Sequence, residues 1–322
     1  MRRVVALLAA AGLAVALVAC GDGGAEPGAS NEATLILDFT PNAVHAGLYA
    51  ALAGGEFERE GIELEIREPS ASTDGPKLLE AGRADFAVLD IHDLAIARER
   101  GLDLVGVAAI VQRPLAAVIA GDRAAVASPR ELEGSTVGVT GLPSDDAVLD
   151  SVLESGGADP GAVERVTIGF DSVAALAAGR VAAATAFWNA EGVALRRLGL
   201  RTREFRVDDF GAPPYPELIL TTTAETLAER PGTVDAIVAA TGSGYDDLLA
   251  DPQARLGDLL EAVPELDAGE QRAQLAELIS AGALGPGVEL DRRALERWAA
   301  WEAERGLVAE PPEVERAFAL DG

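Results

Sequence analysis

The chain has 322 residues, 26 Lys and Arg against 53 Asp and Glu, a formal charge of −27 and one cysteine. Such an acidic balance repels nucleic acid and anionic lipid headgroups, so a nucleic-acid partner is excluded. A lone cysteine leaves no disulfide framework and no cysteine metal site. At the N-terminus, Arg2 and Arg3 precede an apolar and glycine run over residues 4–18 and then small residues up to Cys20, the pattern of a signal peptide over residues 1–20. No other stretch approaches the roughly 20 apolar residues that a spanning helix needs.

Leu17-Val18-Ala19-Cys20-Gly21 resembles the lipobox of bacterial lipoproteins, which implies cleavage before Cys20 and acylation of that cysteine. An ordinary secretory signal with an incidental cysteine is the plainer alternative. Several acyl chains, at about 0.8 kcal/mol per buried methylene, anchor a protein stably where one is marginal. Losing residues 1–20 leaves 302 residues and, without Arg2 and Arg3, a charge of −27 − 2 = −29. That length suits two domains. Residues 21–31 are small and polar without periodicity and read as a flexible tether.

From there strands and helices alternate. Strands are predicted at 33–38, 63–68, 86–89 and 104–110, with helices over 45–59, from Asp74 to 81, and over 91–100. A second series follows, with strands at 116–120, 136–139, 163–168, 182–187 and 203–207 and helices over 144–155, 172–178 and 189–198. After a strand at 217–222 the chain reads as helical to its end, with Pro231 opening one helix and Trp298 and Trp301 packing on another. Alternation of this kind predicts parallel sheets covered on both faces. The last helical region has no sheet of its own, so the expected lobes are discontinuous, 32–117 with 219–322 and 118–218.

The segment Asp38-Phe39-Thr40-Pro41-Asn42-Ala43-Val44-His45-Ala46-Gly47-Leu48-Tyr49 resembles the D-W-T-P-N-x-x-H-x-G-L-Y signature of the thiamine-pyrimidine family, ThiY-like precursor-binding lipoproteins and pyrimidine synthases. Further resemblance runs through residues 55–61, 79–86, 128–134 and Phe187-Trp188-Asn189-Ala190-Glu191; those segments also recur in sulfonate, nitrate and riboflavin binders. Phe39 departs from the family's tryptophan. The resemblance implies a type II periplasmic-binding-protein fold, two α/β lobes joined by two crossover strands around a central cleft. In open α/β sheets the crevice lies beyond the carboxyl ends of the strands, and four segments directly follow predicted strands: 38–45, 90–93, 141–145 and 187–191.

The candidate ligand-binding residues are therefore Asp38, Asn42, His45, Asp90, His92, Ser144, Phe187, Trp188 and Glu191. Each has a plainer reading. Asp38, Asn42, Asp90 and Ser144 stand where helix caps stand, His45 and His92 fit structural hydrogen bonding, and one of Phe187 and Trp188 fits core packing. Phe187, Trp188 and Glu191 together could stack on, and accept protons from, a nitrogen heterocycle. Tyr215, between two prolines, stands near the return crossover. Neither His-Glu-x-x-His spacing nor a compact ligand cluster is visible, so no metal is expected.

These features point to a solute-binding lipoprotein of an ABC importer, a monomer outside the cytoplasmic membrane. It would take a thiamine pyrimidine precursor, of hydroxymethylpyrimidine or formylaminopyrimidine type, to permease subunits. Riboflavin and aliphatic sulfonates are the alternatives on the same fold; the carboxylates and aromatics suit N–H donors better than anions. A pyrimidine synthase is the alternative of another class. The resemblance speaks against it, because the synthases' C-C-C-F-C cluster is absent and Lys77, the one lysine, lies outside the matching segments. The expectation is a binder without cofactor or catalytic residue.

Overall fold

The computed structural model describes residues 31–70, 74–124, 126–169 and 171–320; the signal peptide, Cys20 and residues 21–30 of the expected tether lie outside them. Ten strands form two five-stranded sheets. β1 (Asn31–Ile36), β2 (Ile62–Arg67), β3 (Phe86–Asp90), β4 (Leu104–Val111) and β10 (Leu218–Thr223) make the first, in the order β2-β1-β3-β10-β4. The second is β7-β6-β8-β5-β9, from β5 (Ala116–Ala120), β6 (Thr136–Val139), β7 (Glu164–Thr167), β8 (Ala183–Phe187) and β9 (Arg203–Arg206).

Burial follows strand position. β5, buried at every residue, is wholly apolar between β8 and β9, whereas edge strand β2 alternates, with Ile62 and Leu64 inside and Glu63 and Glu65 outside. The expectation of purely parallel sheets is corrected. β10 runs antiparallel between β3 and β4, and β5 runs antiparallel between β8 and β9. Each of these strands enters its sheet directly after crossing from the other half, without the covering helix that would have reversed the chain, so it must run against its neighbours. The crossings lie between Val111 and Ala116 and between Asp209 and Leu218; the division expected between 117 and 118 falls inside β5.

The helix expected over 45–59 is broken. A 3₁₀ turn (Ala43–His45) leads into the helix Ala46–Ala53, and a separate turn, Glu56–Arg59, follows after Gly55 takes φ +70°, a left-handed conformation that glycine adopts without penalty. The C-terminal helices pack on the first sheet. Among them Pro231–Ala250 crosses Ala46–Ala53 so closely that a Cβ on Gly244 would lie 2.2 Å from the Gly47 carbonyl oxygen, and one on Gly47 would meet the Tyr245 ring at 2.5 Å. At this crossing the buried Tyr245 hydroxyl donates to the Val44 carbonyl at 2.5 Å, tying the helix pair to the turn after β1. Tyr245→Phe, which keeps the ring, is expected to cost about 1 kcal/mol in urea denaturation through loss of that bond.

One C-terminal helix also reaches the second half. From Ala268–Ser280, Glu277 pairs with Arg196 at 3.0 Å, and Asp267 just before it pairs with Arg197 at 2.9 Å.

Candidate functional site

The carboxyl ends of β1, β3, β6 and β8 converge on one cleft between the sheets. The empty space within it, its open mouth included, is about 1120 Å³. Register explains which residues reach it: Leu218 of β10 pairs with Asp90 and Ala116 of β5 pairs with Phe187, so both crossings open at the cleft, and all four residues line it.

Of the nine expected ligand-binding residues, Asp38, Asn42, Asp90, Ser144, Phe187 and Glu191 line the cleft. His45, His92 and Trp188 stand behind its wall, which corrects their expected placement. His45 is fully buried; its Nε2 faces Asp38 Oδ1 at 2.8 Å and its Nδ1 accepts from the Asn42 amide at 3.2 Å. Those partners assign the proton to Nε2, and the ring thereby aims the Asp38 carboxylate. Asn42 completes a capping box by accepting from the Val44 amide. Trp188 is buried at the first crossing, where its indole N–H donates to the Pro114 carbonyl at 3.0 Å and the Arg206 guanidinium lies 4.1 Å from its ring centre. Ser144 is not the cap of its helix, which begins one residue earlier at Pro143; it sits in the first turn, facing the cleft.

His92 belongs to a buried network. Its Nδ1 lies 2.7 Å from Glu302 Oε2, its Nε2 lies 3.1 Å from the Tyr215 hydroxyl, and Trp298 and Trp301 pack around the ring. Burial alone would lower its pKa, but the Glu302 and Asp90 carboxylates outweigh that and raise it to about 10, so the ring is a cation at neutral pH. Asp90, His92 and Glu217 bring polar side-chain atoms within 4.8 Å of one another, a grouping hidden in the sequence because Glu217 stands 125 residues from His92. Both His92 nitrogens are engaged, which leaves that ring no free lone pair for a metal.

The cleft also takes Phe39, Asp93, Asp145 and Asn189, from the four expected cleft segments though not among the nine named candidates, and Thr140 and Ser172, which lie outside those segments. Asp145 accepts from the backbone and hydroxyl of Thr140. Ser172, at the start of a helix and not directly after a strand, carried no strand-end signal. Ser172 Oγ and Asn189 Oδ1 are buried without a partner among the described residues, two polar atoms available to a ligand. The aromatic walls are Phe39 and Phe187, one from each half, instead of the adjacent pair Phe187 and Trp188.

Charge sets the chemistry. Asp38, Asp90, Asp93, Asp145 and Glu191 line the cleft, and none of the described lining residues is Lys, Arg or His. Burial raises the carboxyls of Asp90, Asp145 and Glu191, and burial together with neighbouring Asp90 pushes Asp93 up to about 8. Glu191 Oε2 is held by the Phe187 amide at 3.0 Å. The surface is thus rich in acceptors that a positive or N–H-rich ligand would relieve, and adverse to an anion.

Comparison with known proteins agrees with this architecture. The family model described as NMT1/THI5 like matches residues 42–255. The chain is 32% identical over 227 residues to a formylaminopyrimidine-binding protein of Halalkalibacterium halodurans, covering 70% of this chain and 69% of that one. It is 27% identical over 300 residues to the riboflavin-binding protein RibY of Chloroflexus aurantiacus, covering 89% and 84%. Among solved structures, the alkanesulfonate-binding protein SsuA of Xanthomonas axonopodis pv. citri superposes with a TM-score of 0.72 at 17% identity, over 92% of this chain and 99% of that one. The fold is the type II periplasmic-binding-protein fold, two α/β lobes about a cleft. With its family model matched over more than half its length, the chain belongs to the NMT1/THI5-like family.

Proposed function

We propose that this protein is an extracytoplasmic solute-binding component of an ABC importer. Its ligand would be an amine-bearing pyrimidine of the thiamine-precursor class, of hydroxymethylpyrimidine or formylaminopyrimidine type. The observation that carries this reading is the cleft itself, with five carboxylates, no cationic side chain among its described lining residues, and a phenylalanine on each side. The Asp38–Asn42–His45 unit would present one carboxylate from the first lobe, and Glu191 and Asp145 would face it from the second. Sulfonates and nitrate, as anions, would meet repulsion there. A synthase role is disfavoured because the chain's single cysteine, Cys20, cannot supply a cysteine cluster.

Calorimetry with hydroxymethylpyrimidine, its formylaminomethyl analogue, riboflavin and taurine tests the assignment. A pyrimidine is expected to bind. Riboflavin binding alone would keep the fold and the stacking and overturn the pyrimidine; taurine binding alone would sink the heterocycle.

The lobes would be discontinuous, the residues before the first crossing with those after the second forming one and the residues between them the other, hinged at the two crossings, and ligand would shrink the radius of gyration. Superposable scattering curves with and without a bound ligand would count against closure. No helix among the described residues is long and apolar enough to cross a membrane, and we assign attachment to acylated Cys20, with delivery to permease subunits at the membrane face. Cys20→Ser is expected to move the protein from the membrane fraction to the soluble one; a variant that stays membrane-bound without acyl label would refute the anchor.

A further inference from the structure

The return crossing ends in a carboxylate that touches both crossings and the cleft. Glu217 precedes β10; its amide donates to the Val111 carbonyl at 2.9 Å and its carbonyl accepts from the Ile91 amide at 2.9 Å. Its side-chain Oε2 accepts from the backbone amides of Leu115 and Ala116, on the other crossing. The second oxygen, Oε1, is fully buried and has no hydrogen-bond donor among the described residues. Asp90, which faces the cleft and accepts from the His92 amide at 2.8 Å, brings a carboxylate oxygen within 4.8 Å of one of Glu217's.

We propose that Asp90 and Glu217 share one proton in the unliganded protein and release it when a cationic ligand docks on Asp90, so that capture in the cleft is coupled to ionisation of the hinge carboxylate. The inference rests on reading the cleft as a site for a cationic heterocycle.

Two carboxylates within 4.8 Å of each other, Glu217 buried and Asp90 half-buried, disfavour each other's ionisation, and a proton shared by the pair supplies the donor that Glu217 Oε1 lacks. The surrounding charges do not remove the need for it. From the helix Ile91–Glu99, His92 is positive but paired with Glu302 of Arg292–Glu304, and Asp93 adds a further acid. Tyr215 faces the network from the return crossing, Asp208, just before that crossing, is paired with Arg113 at 2.6 Å, and Asp145 approaches from the second lobe. Burial and neighbouring Asp90 push Glu217 up to about 8, and burial raises Asp90. A ligand cation at Asp90 replaces the proton's charge, and the freed Glu217 carboxylate then grips the Leu115 and Ala116 amides as an ion, a stronger acceptor.

Glu217→Gln mimics the protonated partner, because its amide can donate to Asp90 while its carbonyl still accepts from the crossing amides. Titrating hydroxymethylpyrimidine into wild type and variant in phosphate and in Tris at pH 7 reads the protons exchanged. Wild type is expected to release about one proton more than Glu217→Gln, any protonation of the ligand itself being common to both. The ratio of wild-type to variant affinity should rise from pH 6 to pH 8 by up to about tenfold per unit. Equal proton counts would overturn the coupling while leaving the ligand assignment standing. If no pyrimidine binds, the functional reading fails, and infrared spectra of the unliganded proteins still decide on the proton. Wild type should show a protonated-carboxyl band that Glu217→Gln lacks, and identical spectra would overturn the pair. A rise in Tm with Zn²⁺ alone, abolished by Asp90→Asn, would replace the proton by a metal.

Discussion

Replacing Glu302 by alanine is expected to destabilise the protein by about 3–5 kcal/mol, the range for breaking a buried ion pair by removing one partner. Glu302 and His92 are both fully buried, 210 residues apart in sequence and 2.7 Å apart in space. Without Glu302 the imidazolium loses the carboxylate it is paired with, while the rings of Tyr215, Trp298 and Trp301 keep water from it. The effect has a definite pH window. His92 titrates near 10 in the folded protein, above the roughly 6.5 of an unfolded histidine. Its contribution is therefore fully present below pH 6.5 and is lost as pH rises through 10. Urea unfolding at pH 6 and at pH 10.5 should show a large gap between wild type and Glu302→Ala at the lower pH and a smaller one at the higher. A gap that is the same at both pH values would mean that the pair is not ionised. Glu302→Gln, which keeps a hydrogen-bonding group of the same size, should recover part of the loss.

Glu191→Gln is expected to weaken ligand binding ten- to a hundredfold, or about 1.4 to 2.7 kcal/mol, with little change in Tm. Glu191 opens the helix Glu191–Arg197 at the cleft wall, with one oxygen held by the Phe187 amide and the side chain facing the ligand space. Glutamine retains the bond to Phe187 through its carbonyl, so the local fold persists. What it removes is a charged acceptor for the ligand's amine, the group that distinguishes an aminopyrimidine from a sulfonate or a plain aromatic. Calorimetry of the two proteins with the best-bound pyrimidine checks the effect. Unchanged affinity would show that Glu191 is not the amine's acceptor and would shift attention to Asp93 and Asp145, the other acids deep in the cleft.

Features that depend on neighbours along the chain were legible in the residues alone. Strand positions, the turn signals between them, and the sequence from Asp38 to His45 that turns from β1 into a capped helix are all local, and each lies within a few residues of its expected place. Asp38, Asn42, Asp90 and Glu191 could be placed at the cleft for the same reason, because residues just past the carboxyl end of a strand project there in any open α/β sheet.

What stands behind those residues depends on long-range packing. His92 looked like a cleft residue until Glu302 and Trp298 closed over it from a helix some 200 residues further on, and Trp188 became a pin for the first crossing because Pro114 passes beneath it. Phe39 took the place expected of Trp188 on the cleft wall, opposite Phe187, once the two sheets faced each other. The strand directions of β5 and β10, and with them the placement of Glu217 beside Asp90, follow from a chain that crosses between lobes twice. Such contacts are selected by how two sheets and a helical layer bury their apolar faces together, a choice that no short window of residues encodes.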